Sequence, residues 1–207
     1  IRVPYKSFKC TLMNFIIPFF TLILISNVSY SQKTFLNTVE PAKYTESQEL
    51  SIETIDSIFI SGSLEFATKS KLVIFIAGSG PTDRNCNSKV GLKTDAFKML
   101  SSFLHSEGIS SFRFDKRSVG KSTIIDESEV VFNSFVKDVS EIVKYFENDF
   151  DEIILMGHSE GALIGSIVSM NSKVKSFISV AGTSKRLDEI ILDQLGKYPQ
   201  LIPIAQK

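Results

Sequence analysis

The sequence predicts an α/β fold built on a mostly parallel sheet with helices on both faces. From Leu72 onward, apolar runs of strand length alternate with segments whose apolar residues recur at helical spacing. Such alternation produces parallel strands joined by right-handed helical crossovers. The loops expected after Ile76, Phe114, Met156 and Val180 then emerge at one end of the sheet. A binding or active site is expected at that end.

The predicted elements begin with an antiparallel edge. Residues 32–50 are polar and predict a flexible lead-in to a domain that we place at 51–207. From Ile52 to Phe66 apolar and polar residues alternate, which predicts one or two antiparallel strands at the edge of a sheet. The apolar run Leu72 to Ile76 predicts a strand buried on both faces. A polar, glycine-rich loop follows over 78–91.

Helices and strands alternate through the rest of the chain. Residues 94–107 carry four apolar residues on one helical stripe, and Gly108 is a natural helix stop. The clearest helical period runs over 131–148, where seven apolar residues recur at close to 3.6-residue spacing. Small apolar residues predict another helix over 162–170. Further strands are expected at 110–114, 153–156 and 174–180, and a last helix at 185–196.

Composition indicates an ordinary globular domain and argues against several kinds of partner. Of 207 residues, 43% are hydrophobic, and 23 basic residues balance 23 acidic ones, so neither sign dominates. We therefore expect no nucleic-acid partner. The two cysteines, Cys10 and Cys86, and the two histidines, His105 and His158, lack the spacing of metal ligands. We expect neither a metal nor a cofactor, and the oligomeric state stays open.

Residues 1–31 have the pattern of an export signal. Three positive residues precede an apolar core, Phe15 to Ile25, and small residues at Ser29 and Ser31 predict cleavage before Gln32. N-terminal sequencing of the mature protein tests that position. The core is shorter than the ~20 residues that span a bilayer, so we expect a periplasmic or secreted protein without stable membrane insertion, an uncleaved anchor being the alternative. The chain starts at Ile1 and not at Met, which suggests an incomplete or read-through N-terminus.

A G-x-S-x-G pattern marks the candidate active site. Between a predicted strand and a predicted helix stand Gly157, His158, Ser159, Glu160 and Gly161, and this context is typical of a nucleophile elbow. The turn holds the serine in a strained backbone conformation, and side chains at the two glycines would collide with the neighbouring strand and helix. Ser159 is therefore the candidate nucleophile. The alternative is a glycine-rich turn without chemistry.

Acyl transfer also needs backbone N–H groups that meet the developing oxyanion. In an elbow the residue after the nucleophile supplies one, here Glu160, and the loop after the third strand supplies the other. We expect the N–H of Ser79 in the second role, with Gly80 as the alternative. A phosphate-binding loop or a plain turn is the competing interpretation, although residues 77–81 lack the third glycine of G-x-G-x-x-G.

Residues 115–122 form a third notable segment. Its end, Gly120-Lys121-Ser122, is similar to a nucleotide-binding P-loop, but the first glycine of that pattern is replaced by Asp115. We therefore expect no ATP site. An ion pair between Asp115 and Arg117 is expected to brace the loop instead.

The segments 77–85, 115–122 and 157–161 occur in this order in α/β-hydrolases. Together they resemble the bacterial carboxylesterases grouped with the serine aminopeptidase and monoglyceride-lipase-like hydrolases, and residues 181–183 are similar to that group as well. The resemblance runs from about residue 50 to about residue 200. It implies the α/β-hydrolase fold and hydrolysis of a small-molecule carboxylic ester through an acyl-enzyme on Ser159.

Two positions depart from the family pattern. Ser118 stands where the family usually has glycine, which strains the loop if that position needs a positive φ. Cys86 stands where a small or glycine-like residue is more usual.

The catalytic acid and base of this family follow the nucleophile in the order Ser, Asp or Glu, His. No histidine follows Ser159 in this chain. His158 is expected to pack within the elbow and His105 to lie near a helix end, so neither is a credible base. The acidic residues that follow the nucleophile are expected on a helix face; they are Asp188, Glu189 and Asp193. The resemblance thus implies a domain that is C-terminally incomplete, without its acid and base, and inactive as this 207-residue piece.

Three interpretations remain open at this point. The first is a secreted serine esterase. The second is a peptidase or acyltransferase on the same fold, because all three activities use the same serine, base and oxyanion hole. The third is a truncated protein that has lost catalysis and binds an acyl or other hydrophobic ligand.

Overall fold

Six strands form one mixed sheet in the described part of the chain. The computed structural model describes residues 43–44, 46–88, 93–170, 173–184 and 189, which all fall in one compact unit. The strands are β1 (Gln48–Glu53), β2 (Phe59–Glu65), β3 (Lys71–Ile76), β4 (Ser110–Phe114), β5 (Glu152–His158) and β6 (Val174–Val180). Their order across the sheet is β1-β2-β4-β3-β5-β6. β1 pairs antiparallel with β2, and β2 with β4, whereas β4, β3, β5 and β6 are parallel, so a mostly parallel sheet with an antiparallel edge is confirmed.

Helices cover both faces of this sheet, as the alternating pattern predicts. The helices are α1 (Ala96–Ser106), α2 (Phe132–Phe146) and α3 (Glu160–Val168), with a short 3₁₀ helix at Glu127–Glu129. Successive strand residues point to opposite faces. Leu72 and Ile74 of β3 accordingly join the apolar cluster that holds α2 and α3, while Val73 and Phe75 join the cluster that holds α1.

The predicted lead-in is too long at its C-terminal end. β1 begins at Gln48, inside the stretch 32–50 that the polar composition assigned to a flexible segment. Tyr44 is also fixed in the domain, since its side chain is buried and stacks on Phe150 with ring centroids 5.9 Å apart. Tyr44 therefore helps to anchor the chain before the first strand, and the neighbouring Lys43 pairs with Asp149 at 2.7 Å. The Tyr44 ring lies 6.1 Å from that of Phe146 at the end of α2.

Two predicted features lie outside the described residues. They are the export signal over 1–31 and the last helix over 185–196, of which only Glu189 is described. Within the described ranges, no helix has both the length and the apolarity needed to cross a bilayer.

Candidate active site

Ser159 occupies a strained turn between β5 and α3. Its backbone has φ 54° and ψ −117°, a conformation that L-residues rarely adopt, and α3 begins at the next residue. A Cβ atom built on Gly157 would overlap the carbonyl oxygen of Gly161, and one built on Gly161 would overlap the carbonyl oxygen of Ile76. Both glycines are thus required by close backbone approach. The backbone N–H of Ser159 donates to the carbonyl of Val180 at 2.9 Å, which ties the turn to the end of β6.

The loop after β3 lies directly beside this turn. β3 and β5 are neighbours in the sheet, with Ile76 opposite Gly157, so the loops that follow them leave side by side. A Cβ built on Gly78 would lie 3.4 Å from the Cβ of Ser159 and 3.1 Å from Nδ1 of His158. Gly78 itself is buried, whereas Ser79 and Gly80 are exposed. The structure therefore brings the two segments with candidate oxyanion donors into contact.

The two candidate oxyanion donors, the N–H groups of Glu160 and Ser79, are held in place in different ways. Glu160 is the first residue of α3, and the first N–H groups of a helix have no acceptor within the helix. Ser79 follows Gly78, whose carbonyl oxygen accepts a hydrogen bond of 2.6 Å from Nζ of Lys116. Lys116 is a buried residue that sequence reasoning missed, because nothing in its local pattern distinguishes it from an ordinary loop lysine.

Neither histidine is placed as a base for Ser159. His105 is exposed in the last turn of α1, and the half-buried His158 lies against Gly78. Within the described ranges, no hydrogen bond joins the Ser159 hydroxyl to a histidine or a carboxylate, and no cluster of metal-binding side chains is present.

The ion pair expected between Asp115 and Arg117 is not formed. Asp115 instead accepts hydrogen bonds from the Arg84 guanidinium (2.7 Å) and from the backbone N–H groups of Arg84 (2.9 Å) and Lys121 (3.0 Å). Arg117 turns towards the helix layer and pairs with Asp138 of α2 and with Asp56. Both partners are distant in sequence, since Arg84 lies 31 residues before Asp115 and Asp138 lies 21 residues after Arg117. Residues 115–122 are therefore held by ion pairs to other parts of the domain, and not by an ion pair within the segment.

The Asp115 carboxylate is expected to make folding stability pH-dependent. Burial alone raises its pKa, but the Arg84 guanidinium and two backbone N–H groups outweigh burial and hold the pKa below its ordinary value of 3.8. Its stabilising contribution is therefore complete above that ordinary value and is lost as the pH falls through the lower folded-state pKa. Asp115→Asn should cost about 1–3 kcal/mol near neutral pH and flatten the acid limb of stability measured by urea unfolding. Asp151→Asn, at an exposed site, is the control, and an unchanged acid limb in Asp115→Asn would contradict this assignment.

The two departures from the family pattern both adopt a left-handed backbone. Ser118 has φ 63° and Cys86 has φ 69°, so each non-glycine residue occupies a conformation that favours glycine. The expected strain at Ser118 is thus confirmed by its geometry. Its hydroxyl compensates in part, since it accepts from the N–H of Ile125 and donates to the carbonyl of the same residue.

Comparison with known proteins gives a consistent assignment of fold. No family model matches the chain. It is 31% identical to esterase EstD from Thermotoga maritima over 139 residues, which are 64% of this chain and 32% of that protein. The chain therefore spans about a third of the length of this curated relative.

Solved structures share the same architecture. An α/β hydrolase, GrgF from Penicillium sp. sh18, superposes with a TM-score of 0.57 at 15% identity, over 79% of this chain and 56% of that one. The Pyrococcus furiosus esterase PF2001 superposes with a TM-score of 0.59 at 21% identity, over 77% of this chain and 60% of that one. Identities this low establish the fold alone. Together with the sheet order, they show that the described part of this chain has the α/β-hydrolase fold.

Proposed function

We propose that this chain carries the nucleophile and the oxyanion hole of a serine hydrolase that cleaves carboxylic esters. The observation that carries the proposal is the strained turn at Ser159, with Glu160 opening α3 on one side and the Gly78–Ser79 loop on the other. The similarity to an esterase, EstD, supports the choice of ester substrates. We assign the protein to the bacterial carboxylesterase group that its motifs resemble.

The proposed chemistry proceeds in two steps. Ser159 Oγ attacks the ester carbonyl carbon while its proton passes to a general base, and negative charge develops on the carbonyl oxygen. The N–H groups of Glu160 and Ser79 bind that oxygen, with Gly80 as the alternative to Ser79. Loss of one such donor typically costs about 3 kcal/mol of transition-state stabilisation. The carbonyl re-forms as the alcohol leaves with the proton, and water then hydrolyses the acyl-enzyme to release the acid and restore Ser159.

The base and the acid in this proposal come from outside the sequence at hand. No histidine follows Ser159, and neither His105 nor His158 is placed to accept its proton. A hydroxyl without a base is a weak nucleophile. The 207-residue chain by itself is therefore expected to be inactive, whereas the protein expressed from its complete gene (the complete protein below) is expected to hydrolyse esters.

Covalent labelling tests this proposal. The complete protein should react with a fluorophosphonate, and peptide mapping by mass spectrometry should locate the label on Ser159. It should also turn over short p-nitrophenyl esters, whereas the 207-residue chain should not. A label on another serine would overturn the assignment of Ser159 as nucleophile. Ser159-dependent turnover by the 207-residue chain would overturn the conclusion that this chain lacks the base.

A matched pair of substrates separates esterase from peptidase activity. The two substrates carry the same acyl group, one as a p-nitrophenyl ester and the other as a p-nitroanilide. We expect the complete protein to prefer the ester beyond the difference in intrinsic reactivity. A preference for the anilide would favour a peptidase, and transfer of the acyl group to an added alcohol or amine in place of water would favour an acyltransferase.

A further inference from the structure

Lys116 is a buried lysine beside the candidate active site. It lies two residues after the end of β4, and its side chain is 4% exposed. Its Nζ donates to the Gly78 carbonyl oxygen at 2.6 Å, lies 3.8 Å from Oε1 of Glu160, and sits 5.1 Å from the ring centroid of Phe135. Burying an ammonium group is costly unless it has partners. Burial lowers the pKa of Lys116, and the Glu160 carboxylate offsets part of that effect.

The position of the Gly78 carbonyl also determines the direction of the Ser79 N–H. The two groups belong to one planar peptide unit, and in a trans peptide they point in opposite directions. A hydrogen bond that holds the carbonyl towards Lys116 therefore holds the N–H away from Lys116. A Cβ built on Gly78 would lie 3.4 Å from the Cβ of Ser159, so the orientation of the Gly78–Ser79 peptide determines where its N–H points beside the nucleophile.

Lys116 contacts the second candidate donor residue as well. Glu160 contributes its backbone N–H to the oxyanion hole in our proposal, and its carboxylate oxygen Oε1 lies 3.8 Å from Nζ of Lys116. A single buried ammonium thus lies between the two segments from which the donors come. The hydrogen bond to the carbonyl is charge-assisted, and such bonds are roughly twice as strong as neutral ones. It also polarises the peptide, which strengthens the N–H as a donor.

We propose that Lys116 is a positioning residue that orients the Gly78–Ser79 peptide and thereby sets the oxyanion hole. This inference rests on the proposed function, in which Ser159 attacks an ester. Lys116 does not serve as the base. Among the described residues, its ammonium group contacts the Gly78 carbonyl and the Glu160 carboxylate and makes no hydrogen bond to the Ser159 hydroxyl. Lys121, the lysine that gives this loop its likeness to a P-loop, is exposed and has no part in the arrangement.

Steady-state kinetics of the complete protein test this role. Lys116→Met keeps the length and apolar stem of the side chain but removes the donor, and we expect kcat for a p-nitrophenyl ester to fall about 100-fold, with KM within about threefold. Lys121→Met makes the same change at a side chain that is 74% exposed in the same loop, and it should keep wild-type kcat. An alkyl boronic acid, whose tetrahedral adduct occupies the oxyanion hole, should bind Lys116→Met weaker by a similar factor. A merely structural role would lower the melting temperature but leave kcat and boronate affinity of the folded fraction unchanged.

The outcomes separate this inference from the proposed function. If Ser159→Ala is inactive while Lys116→Met keeps wild-type kcat, the role of Lys116 is overturned and the nucleophile stands. If Ser159→Ala keeps wild-type turnover, the proposed function fails and this inference fails with it. Should Lys116→Met not fold, Lys116→Gln takes its place. It removes the charge and shortens the reach, so kcat must fall at least about tenfold, and an unchanged kcat would overturn the proposal.

Discussion

Ser159→Ala is expected to abolish ester turnover by the complete protein. Without the hydroxyl no acyl-enzyme forms, and only the oxyanion hole and substrate binding remain, which together retain about a 10³-fold rate over water. Initial rates with a short p-nitrophenyl ester, measured at saturating substrate, give the loss in kcat. Circular dichroism and the melting temperature of the variant establish that the fold is intact.

A matched control makes this loss specific to the elbow. Ser166 lies on α3, the helix that Ser159 precedes, and is exposed to solvent. Ser166→Ala makes the same chemical change and should leave kcat at the wild-type level. Near-wild-type turnover by Ser159→Ala would remove Ser159 from the mechanism, and an equal loss in both variants would indicate damage to α3 in place of a missing nucleophile.

Asp138→Ala should lower the free energy of unfolding by about 3–5 kcal/mol. Asp138 lies on α2 with 1% of its surface exposed, and its carboxylate accepts from Nε (2.8 Å) and Nη2 (2.5 Å) of Arg117. Arg117 is itself 4% exposed, so removal of Asp138 leaves a buried guanidinium without its main partner. Urea unfolding followed by circular dichroism gives the free energy of unfolding for wild type and variant.

The second carboxylate near Arg117 provides the control. The side chain of Asp56 contacts the same guanidinium at 3.2 Å but is 44% exposed, so Asp56→Ala should cost no more than about 1 kcal/mol. Replacing both members of the buried pair, by Arg117→Met with Asp138→Leu, should recover much of the loss, because no unpaired charge then stays buried. A cost below 1 kcal/mol for Asp138→Ala would show that water reaches Arg117 and that the pair is not structurally important.

Local patterns in the sequence were sufficient to predict the main elements of this fold. The apolar period over 131–148 corresponds to α2, and the continuous apolar run over 72–76 corresponds to β3. In both cases the spacing of the apolar residues along the chain determines which side chains are buried. The antiparallel edge followed from alternation in the same way. The geometry of the turn at Ser159 followed from the two glycines that flank it, although its chemical role is still a proposal.

What the sequence did not reveal are the partners of its polar residues. Asp115 and Arg117 are close in the chain, yet their partners Arg84 and Asp138 come from another loop and from a helix. Pairing of this kind depends on which layers of the domain enclose the loop, and spacing carries no information about that. For the same reason, the local pattern did not predict that Lys116 is buried against Gly78. Nor did it predict that Tyr44 packs on Phe150, so that the domain begins earlier than residue 51.

The order of the strands has a consequence for how the site forms during folding. β3 pairs with β5 along its whole length, and these strands are separated by roughly 80 residues in sequence. Their pairing requires closure of a long loop, whose entropy must be offset before the contacts form, and parallel non-local pairing of this kind is slow. The turn at Ser159 lies at the end of β5 and is held by the last residue of β6. The site therefore has no local nucleus of its own and forms together with the central sheet.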